Sequence, residues 1–317
     1  SEIGKCVEAD FYMAKSQQII TQFTDEEVEI LKFTRIKVDF LLGRRSKEEF
    51  HKDFKSLQAI TQQPANALQV KINLFYYETI EKVAANDFDN ETEKKLFDFF
   101  EEIDEASLSE RRNHLFKIFH AENINMYITS RMVKYVQQFR LRESLNQEVT
   151  QEERVAVVNQ CNSNVYLLTT IILKALHYAK KKDDTFLLAH SYYMLGFFFF
   201  TRQYDYLLLD FRENKSDMKD NFRRFFLYSL KAHNLFLSLG LLKEARNALI
   251  NALELSRLAI VWYGFDITEG TSGEEGLLKN IEASKQEMGL SESYTSKVDA
   301  AFRNLQERSS KKVGDHF

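Results

Sequence analysis

Proline is almost missing from this chain: Pro64 is the one example among 317 residues, and glycine occurs only ten times. Proline breaks helix interiors and glycine weakens them, so their scarcity over this length leaves room for nearly continuous helix. No convincing period-2 apolar run bounded by turn residues is present, so the sequence offers no basis for a sheet. The expected fold class is all-α.

Cysteine is equally scarce. Cys6 and Cys161 lie far apart and form neither a CxxC pair nor a metal-ligand spacing. That excludes a disulfide framework and points to two structural thiols in a reducing compartment. The opening SEIGKC has no basic-then-apolar leader, so a cytoplasmic location is expected rather than secretion. Beginning on Ser, the chain reads as processed or as a piece of something longer.

Charge of one sign is not in excess. The net charge is −4 and the isoelectric point about 6.1, so there is no global electrostatic footprint for nucleic acid, which is not an expected partner. The local basic clusters Lys180-Lys181-Lys182, Arg223-Arg224 and Lys311-Lys312 read as solvated helix ends. The most apolar run, Phe186 to Phe200 (FLLAHSYYMLGFFFF), is too short to span a bilayer and is followed at once by Arg202 and Asp205. No membrane partner is expected. Four consecutive phenylalanines cover every side of a helix, so this helix should be buried between neighbours.

Catalytic motifs are also wanting. The seven histidines include no HExxH and no pair at i, i+4, the spacing a helical zinc site needs. Neither GxxxxGK[ST] nor GxGxxG occurs to cradle phosphates, and no GxSxG elbow is found. No metal and no cofactor are expected, and the chain does not read as an enzyme.

What is present is helix punctuation. Thr24-x-x-Glu27, Ser46-x-x-Glu49, Ser107-x-x-Glu110, Thr150-x-x-Glu153 and Ser272-x-x-Glu275 match the capping box, with Asn90 and Glu93 a near variant. In that box the first side chain accepts from an orphan amide of the first turn and the glutamate reaches back. Pro64 suits a first helical turn. The expected helices are 5–21, 25–42, 47–60, 64–84, 91–103, 108–120, 124–142, 152–181 with a break near Asn162-Ser163-Asn164, 185–203, 216–239, 242–263, 274–287 and 291–309. Gly264 to Gly273 is the clearest loop, and Asn146 to Thr150 is a candidate boundary. The regions expected are 1–145, N-terminal helices; 146–263, helical repeats; and 264–317, a helix pair with a frayed tail.

Within 174–258, an apolar and basic helix ending in a Lys-Ala or Leu-Lys-Ala run leads to a tight turn and an Ala-rich helix, and the arrangement comes twice. Tyr192, Leu195, Gly196 and Phe199 follow the W-x-x-L-G-x-x-Y pattern with Tyr for Trp and Phe for Tyr. Ala175, Ala189, Ala232, Ala245 and Ala252 are small residues of the kind close crossings need, and Gly240 suits a left-handed helix stop. This stretch resembles a degenerate tetratricopeptide repeat. The segment QYDYLLLDFRENKSD displaces the expected second helix, and the repeat-closing proline is absent. The resemblance implies helix pairs stacked as an α-solenoid; an irregular helical bundle is the alternative.

A curved stack of helix pairs has a concave groove that suits a peptide or partner helix. With Gly196 at the crossing, His190, Tyr193 and Phe197 should point toward it. Arg246, Asn247, Asn251 and Arg257 are polar among Ala and Leu, and Asn and Arg suit a peptide backbone and a carboxylate. The expected function is a non-enzymatic protein- or peptide-binding scaffold or sensor, in isolation or within a larger protein. Two alternatives stand beside it. Arg45-x5-His51 fits the Arg-x4–6-His signature of HEPN ribonucleases, in which the resemblance implies an arginine on the phosphate and a histidine on the ribose hydroxyl or leaving oxygen. Alternatively, the protein is a structural subunit whose aromatic surface is covered in a homo-oligomer.

Overall fold

In the computed structural model the described residues are 11, 13–15, 24–41, 44–61, 63–162, 164–209, 215–241, 244–249 and 251–252. They are mostly helical and include no strand. The helices are α1 (Asp25–Leu41), α2 (Lys47–Ile60), α3 (Pro64–Ala84), α4 (Asn90–Glu105), α5 (Glu110–Ser144), α6 (Gln151–Asn162), α7 (Val165–Lys182), α8 (Thr185–Leu209) and α9 (Lys215–Ser238). A further helical stretch covers 244–249. The expected helices at 5–21, 274–287 and 291–309 and the loop at 264–273 lie mostly or wholly outside the described residues.

Three of the expected capping boxes form. Thr24 and Glu27 exchange hydrogen bonds of 2.8 and 3.3 Å, Ser46 and Glu49 of 2.8 and 3.2 Å, and Thr150 and Glu153 of 3.1 and 3.2 Å. Pro64 occupies the first turn of α3. Two caps differ from expectation. α4 is capped by Asp89, which accepts from the Thr92 amide at 2.6 Å, and α5 by Ser109, which accepts from the Arg112 amide at 3.4 Å. In both cases a second capping residue stands within two positions of the expected one, and the sequence pattern does not rank them.

Helix ends follow one device. Asn86, Asn146, Asp183 and Gly240 have φ of 55°, 57°, 51° and 70°. In each case the following amide bonds back to a carbonyl of the last turn at 2.9 Å: Asp87 to Lys82, Gln147 to Arg142, Asp184 to Ala179 and Leu241 to Phe236. These are Schellman stops, with Asn or Asp doing in three of them what glycine does in the fourth. Among the described residues, three of these four helix stops are made without glycine.

Two further corrections concern length. The helices expected at 108–120 and 124–142 are one, because Ala121-Glu122-Asn123 contains no breaker and Asn123 is held inside by its amide, which donates to the Ile72 carbonyl at 3.1 Å. The helix expected to stop at 203 runs to Leu209, since Gln203 to Leu209 offers neither Gly nor Pro. The break between 162 and 165 is as expected.

The chain divides into two compact units, 1–124 and 125–317, with the division inside α5. In the first, α1, α2 and α3 pack on one another around Phe50, Phe54, Leu57, Val70 and Leu74. Beyond them His120 is buried between the rings of Phe75, Phe99 and Phe100, and its Nε2 donates to the Leu96 carbonyl at 2.6 Å. In the second, α8 packs against α6, α7 and α9, so each of α6 and α7 touches α8 as well as its own neighbour. Phe222, Phe225, Phe226 and Phe236 of α9 form the centre of that core. Each such side chain contributes roughly 1.5–3 kcal/mol on burial.

Gly196 sits where α8 meets α9. A Cβ there would lie 2.9 Å from Ser229 Oγ and 3.2 Å from Phe225 Cδ2. Gly196→Ala should therefore destabilise by about 1–3 kcal/mol although Ala is the better helix former. Ser229→Ala in the same chain should restore part of the loss, as read by urea unfolding. Asp183→Gly should act in the opposite direction. It removes a left-handed Asp and a negative charge at a helix C-terminus, and should raise the unfolding free energy by about 0.5–1 kcal/mol in the same assay.

Candidate functional site

α8 carries two parallel stripes at alternating spacings of four and three. Leu187, Ser191, Met194, Phe198, Thr201, Asp205 and Leu208 are all buried. One residue back round the helix, Phe186, His190, Tyr193, Phe197 and Phe200 are each only half-buried. The FFFF run is thus distributed: Phe198 turns fully inward, and its three neighbours lie at the margins of the core. Enclosure of α8 is partial, not complete as its composition implied.

The buried stripe is polar in its second half. Thr201 Oγ1 donates to Asn125 Oδ1 at 3.0 Å and lies 2.7 Å from Thr129 Oγ1. Asp205 receives the Asn162 amide at 2.9 Å and Arg202 at 2.7 Å. Burial pushes the Asp205 carboxyl above its ordinary range, and the Arg202 charge and the Asn162 hydrogen bond oppose that. Arg154 donates to the Leu208 carbonyl at 2.7 Å and pairs with Glu143.

The half-buried stripe gathers several of the residues expected to bind a partner. The His190 ring lies 4.6 Å from Phe186 and 4.9 Å from Phe236. Tyr193 lies 6.4 Å from Phe236, and Phe197 6.2 Å from Phe200. Asn251 donates its amide to Tyr193 Oη at 3.3 Å, joining the helical residues beyond 244 to α8. Asn247 stands one turn before Asn251 on the same face. Arg246 and Asn247 are half-buried, not fully solvated. The structure thus brings Tyr193 and Asn251 into direct contact and sets His190 and Phe197 along the same stripe. Arg257 lies outside the described residues. Phe186 and Phe200 belong to this stripe and were missed; reading the four-three spacing outward from Tyr193 would have found them.

Arg45 and His51 have different partners. Arg45 pairs with Asp53, approaches Asp39 at 3.5 Å, and lines a cavity of about 450 Å³ with Val28, Leu31, Arg35 and Ile36. His51 Nε2 lies 3.5 Å from a Glu81 oxygen and does not line that cavity. Among the described residues no group of His, Cys, Asp and Glu could hold a metal ion. None of their helices is long and apolar enough to cross a membrane. Cys161 is buried on α6.

Comparison with protein-family models, with curated proteins and with solved structures returned no match.

Burial lowers His190 from 6.5 to about 4, and lowers His120 likewise to about 4 against the opposing hydrogen bond to Leu96. Both are neutral when folded and take up a proton near pH 6.5 once unfolded. The unfolded chain therefore binds more protons between pH 6.5 and 4, so stability must fall as pH falls through that window. Each histidine accounts for up to roughly 3 kcal/mol. Denaturant unfolding at pH 7.5, 6.5 and 5 should show this slope in the wild type and a shallower one in His190→Phe and in His120→Phe, whatever the height of each curve.

Proposed function

We propose that the protein is a non-enzymatic binding module that recognises a protein or peptide through the face of α8 bearing Phe186, His190, Tyr193, Phe197 and Phe200, together with Arg246, Asn247 and Asn251. The observation that carries this reading is the half-buried aromatic stripe. These rings are fixed from behind by Phe225 and Phe236, with centroid separations of 4.9 to 6.4 Å for His190, Tyr193 and Phe200. Rings pre-positioned in this way lose little entropy on binding, and aromatic anchors commonly carry most of the affinity of an interface. The Tyr193–Asn251 contact places donors and acceptors for a peptide backbone at the edge of the apolar strip.

A degenerate tetratricopeptide-like stack is the architecture we propose for this region. Two observations support it: the close approach of α9 at Gly196, and the packing of α8 on both its sequence neighbours and on α6. A cytoplasmic scaffold or sensor, standing alone or within a larger protein, is the role that fits.

A photo-crosslinking residue placed at Phe197 tests this directly, with the same residue at exposed Lys94 as control. A discrete adduct is expected from position 197 only. Arg246→Ala with Asn251→Ala should weaken the isolated partner about tenfold, some 1.4 kcal/mol, in a variant whose circular dichroism is unchanged. The same adducts from both positions would remove the site from α8. RNA cleavage that requires His51, with no partner at position 197, would replace the binding module with a ribonuclease.

A further inference from the structure

About 100° round α8 from the proposed binding stripe, a different set of rings faces outward. Tyr192 stacks with Tyr228 of α9 at 5.8 Å and 21°, and Tyr228 with Phe199 at 5.9 Å and 25°. Three cations lie over this row. Lys180 of α7 is 5.9 Å from the Tyr192 ring, Lys231 of α9 is 5.3 Å from Tyr192 and 5.8 Å from Tyr228, and Arg224 is 5.9 Å from Phe199. The rings are half-buried and the three cations exposed. The surface crosses three successive helices, and Lys180 and Arg224 come from basic clusters that read in the sequence as solvated helix ends.

None of the three forms an ion pair with a described carboxylate. Asp220 stands one turn before Arg224 and is exposed, and Asp183 closes α7 beyond Lys180; neither pairs with these cations. Other basic groups sit against carboxylates, as with Lys82 between Asp87 and Asp89 at 2.6 and 3.1 Å or Arg35 on Asp39 at 3.0 Å. Here the charged heads themselves lie over aromatic faces at 5.3 to 5.9 Å, which holds them in place while the side chains remain exposed to solvent.

We propose that Lys180, Arg224 and Lys231, mounted on the Tyr192–Tyr228–Phe199 stack, form a docking surface for an acidic segment of a protein partner. Carboxylates meet the uncompensated cations and apolar side chains meet the exposed parts of the rings. Charge complementarity selects the partner. Single-stranded nucleic acid fits less well, because base stacking needs bare ring faces and these are taken by one another and by the cations. The surface is separate from the stripe proposed above, so either can fail alone.

The test is fluorescence anisotropy on the full chain with a labelled peptide of alternating glutamate and phenylalanine, its lysine counterpart, and a labelled oligouridylate. The glutamate peptide should bind, with an affinity that falls as salt rises. Lys180→Gln, Arg224→Gln and Lys231→Gln together should weaken it about tenfold, whereas Lys55→Gln, Lys94→Gln and Arg140→Gln, an equal change in net charge elsewhere, should stay within about twofold. The triple glutamate variant at the three docking positions should bind the lysine peptide instead, and Phe197→Ala should leave the glutamate peptide unaffected. Equal loss in both glutamine triples, no binding by the wild type, or tighter binding of oligouridylate than of the peptide would each overturn the proposal.

Discussion

The second unit depends on one close crossing. Gly196 leaves no Cβ on α8 where Ser229 and Phe225 of α9 come against it, at a distance that a methyl group would reduce to 2.9 Å. With the Ser229 and Phe225 side chains filling the space beside the glycine, the large residues near it in sequence lie toward the flanks. His190 and Tyr193 go one way, toward Phe236. Tyr192 and Phe199 go the other, toward Tyr228. Both candidate surfaces of the protein are products of this sorting.

Helices that pack by their apolar faces can slide, and polar ties limit that freedom. The same arrangement recurs within each unit: a side-chain donor on one helix reaches a backbone carbonyl on another. His120 reaches Leu96 at 2.6 Å, Asn123 reaches Ile72 at 3.1 Å and Asn113 reaches Ile103 at 3.1 Å. In the second unit Arg154 reaches Leu208 at 2.7 Å, and His233 Nδ1 reaches Ala245 at 2.8 Å. Ile103 and Leu208 lie in the last turns of their helices, where carbonyls lack an intrahelical partner. Because each donor is matched to one carbonyl, a slip of one turn would bury it without a partner. One of these donors, His120, is held neutral by burial and its ring also fills space among Phe75, Phe99 and Phe100, so that tie is pH-sensitive.

Much of the helix inventory was legible in the sequence. The scarcity of proline and glycine, the Ser/Thr-x-x-Glu boxes and the Asn162–Asn164 interruption locate most of the described helices within a few residues. The misreadings share a cause. Asp89 and Ser109 displace neighbouring cap candidates, and α5 continues through a stretch that looked like a turn, because competing local options differ by little and tertiary contacts choose among them. Asn123 is an example: it is a turn former in sequence, yet its amide is held by the Ile72 carbonyl of another helix. The helix ends near 84 and 181 and the boundary at Asn146 were legible, but the left-handed Asn86, Asn146 and Asp183 that make the stops were not, because glycine was the expected signal.

The candidate surfaces were legible only in part. His190, Tyr193 and Phe197 were singled out and share one stripe of α8, with Asn251 against Tyr193, whereas Lys180 and Arg224 looked like ordinary solvated charges. By itself the sequence determined what is written locally: the all-α class, the caps, the breaks and the need for a small residue at position 196. Tertiary structure alone decided which of four adjacent phenylalanines turns inward, which polar groups are tied to carbonyls, and which cations lie over rings without a carboxylate. Those outcomes depend on residues far apart in the chain, and a helix surface carries no mark of which neighbour will cover it until the neighbours have packed.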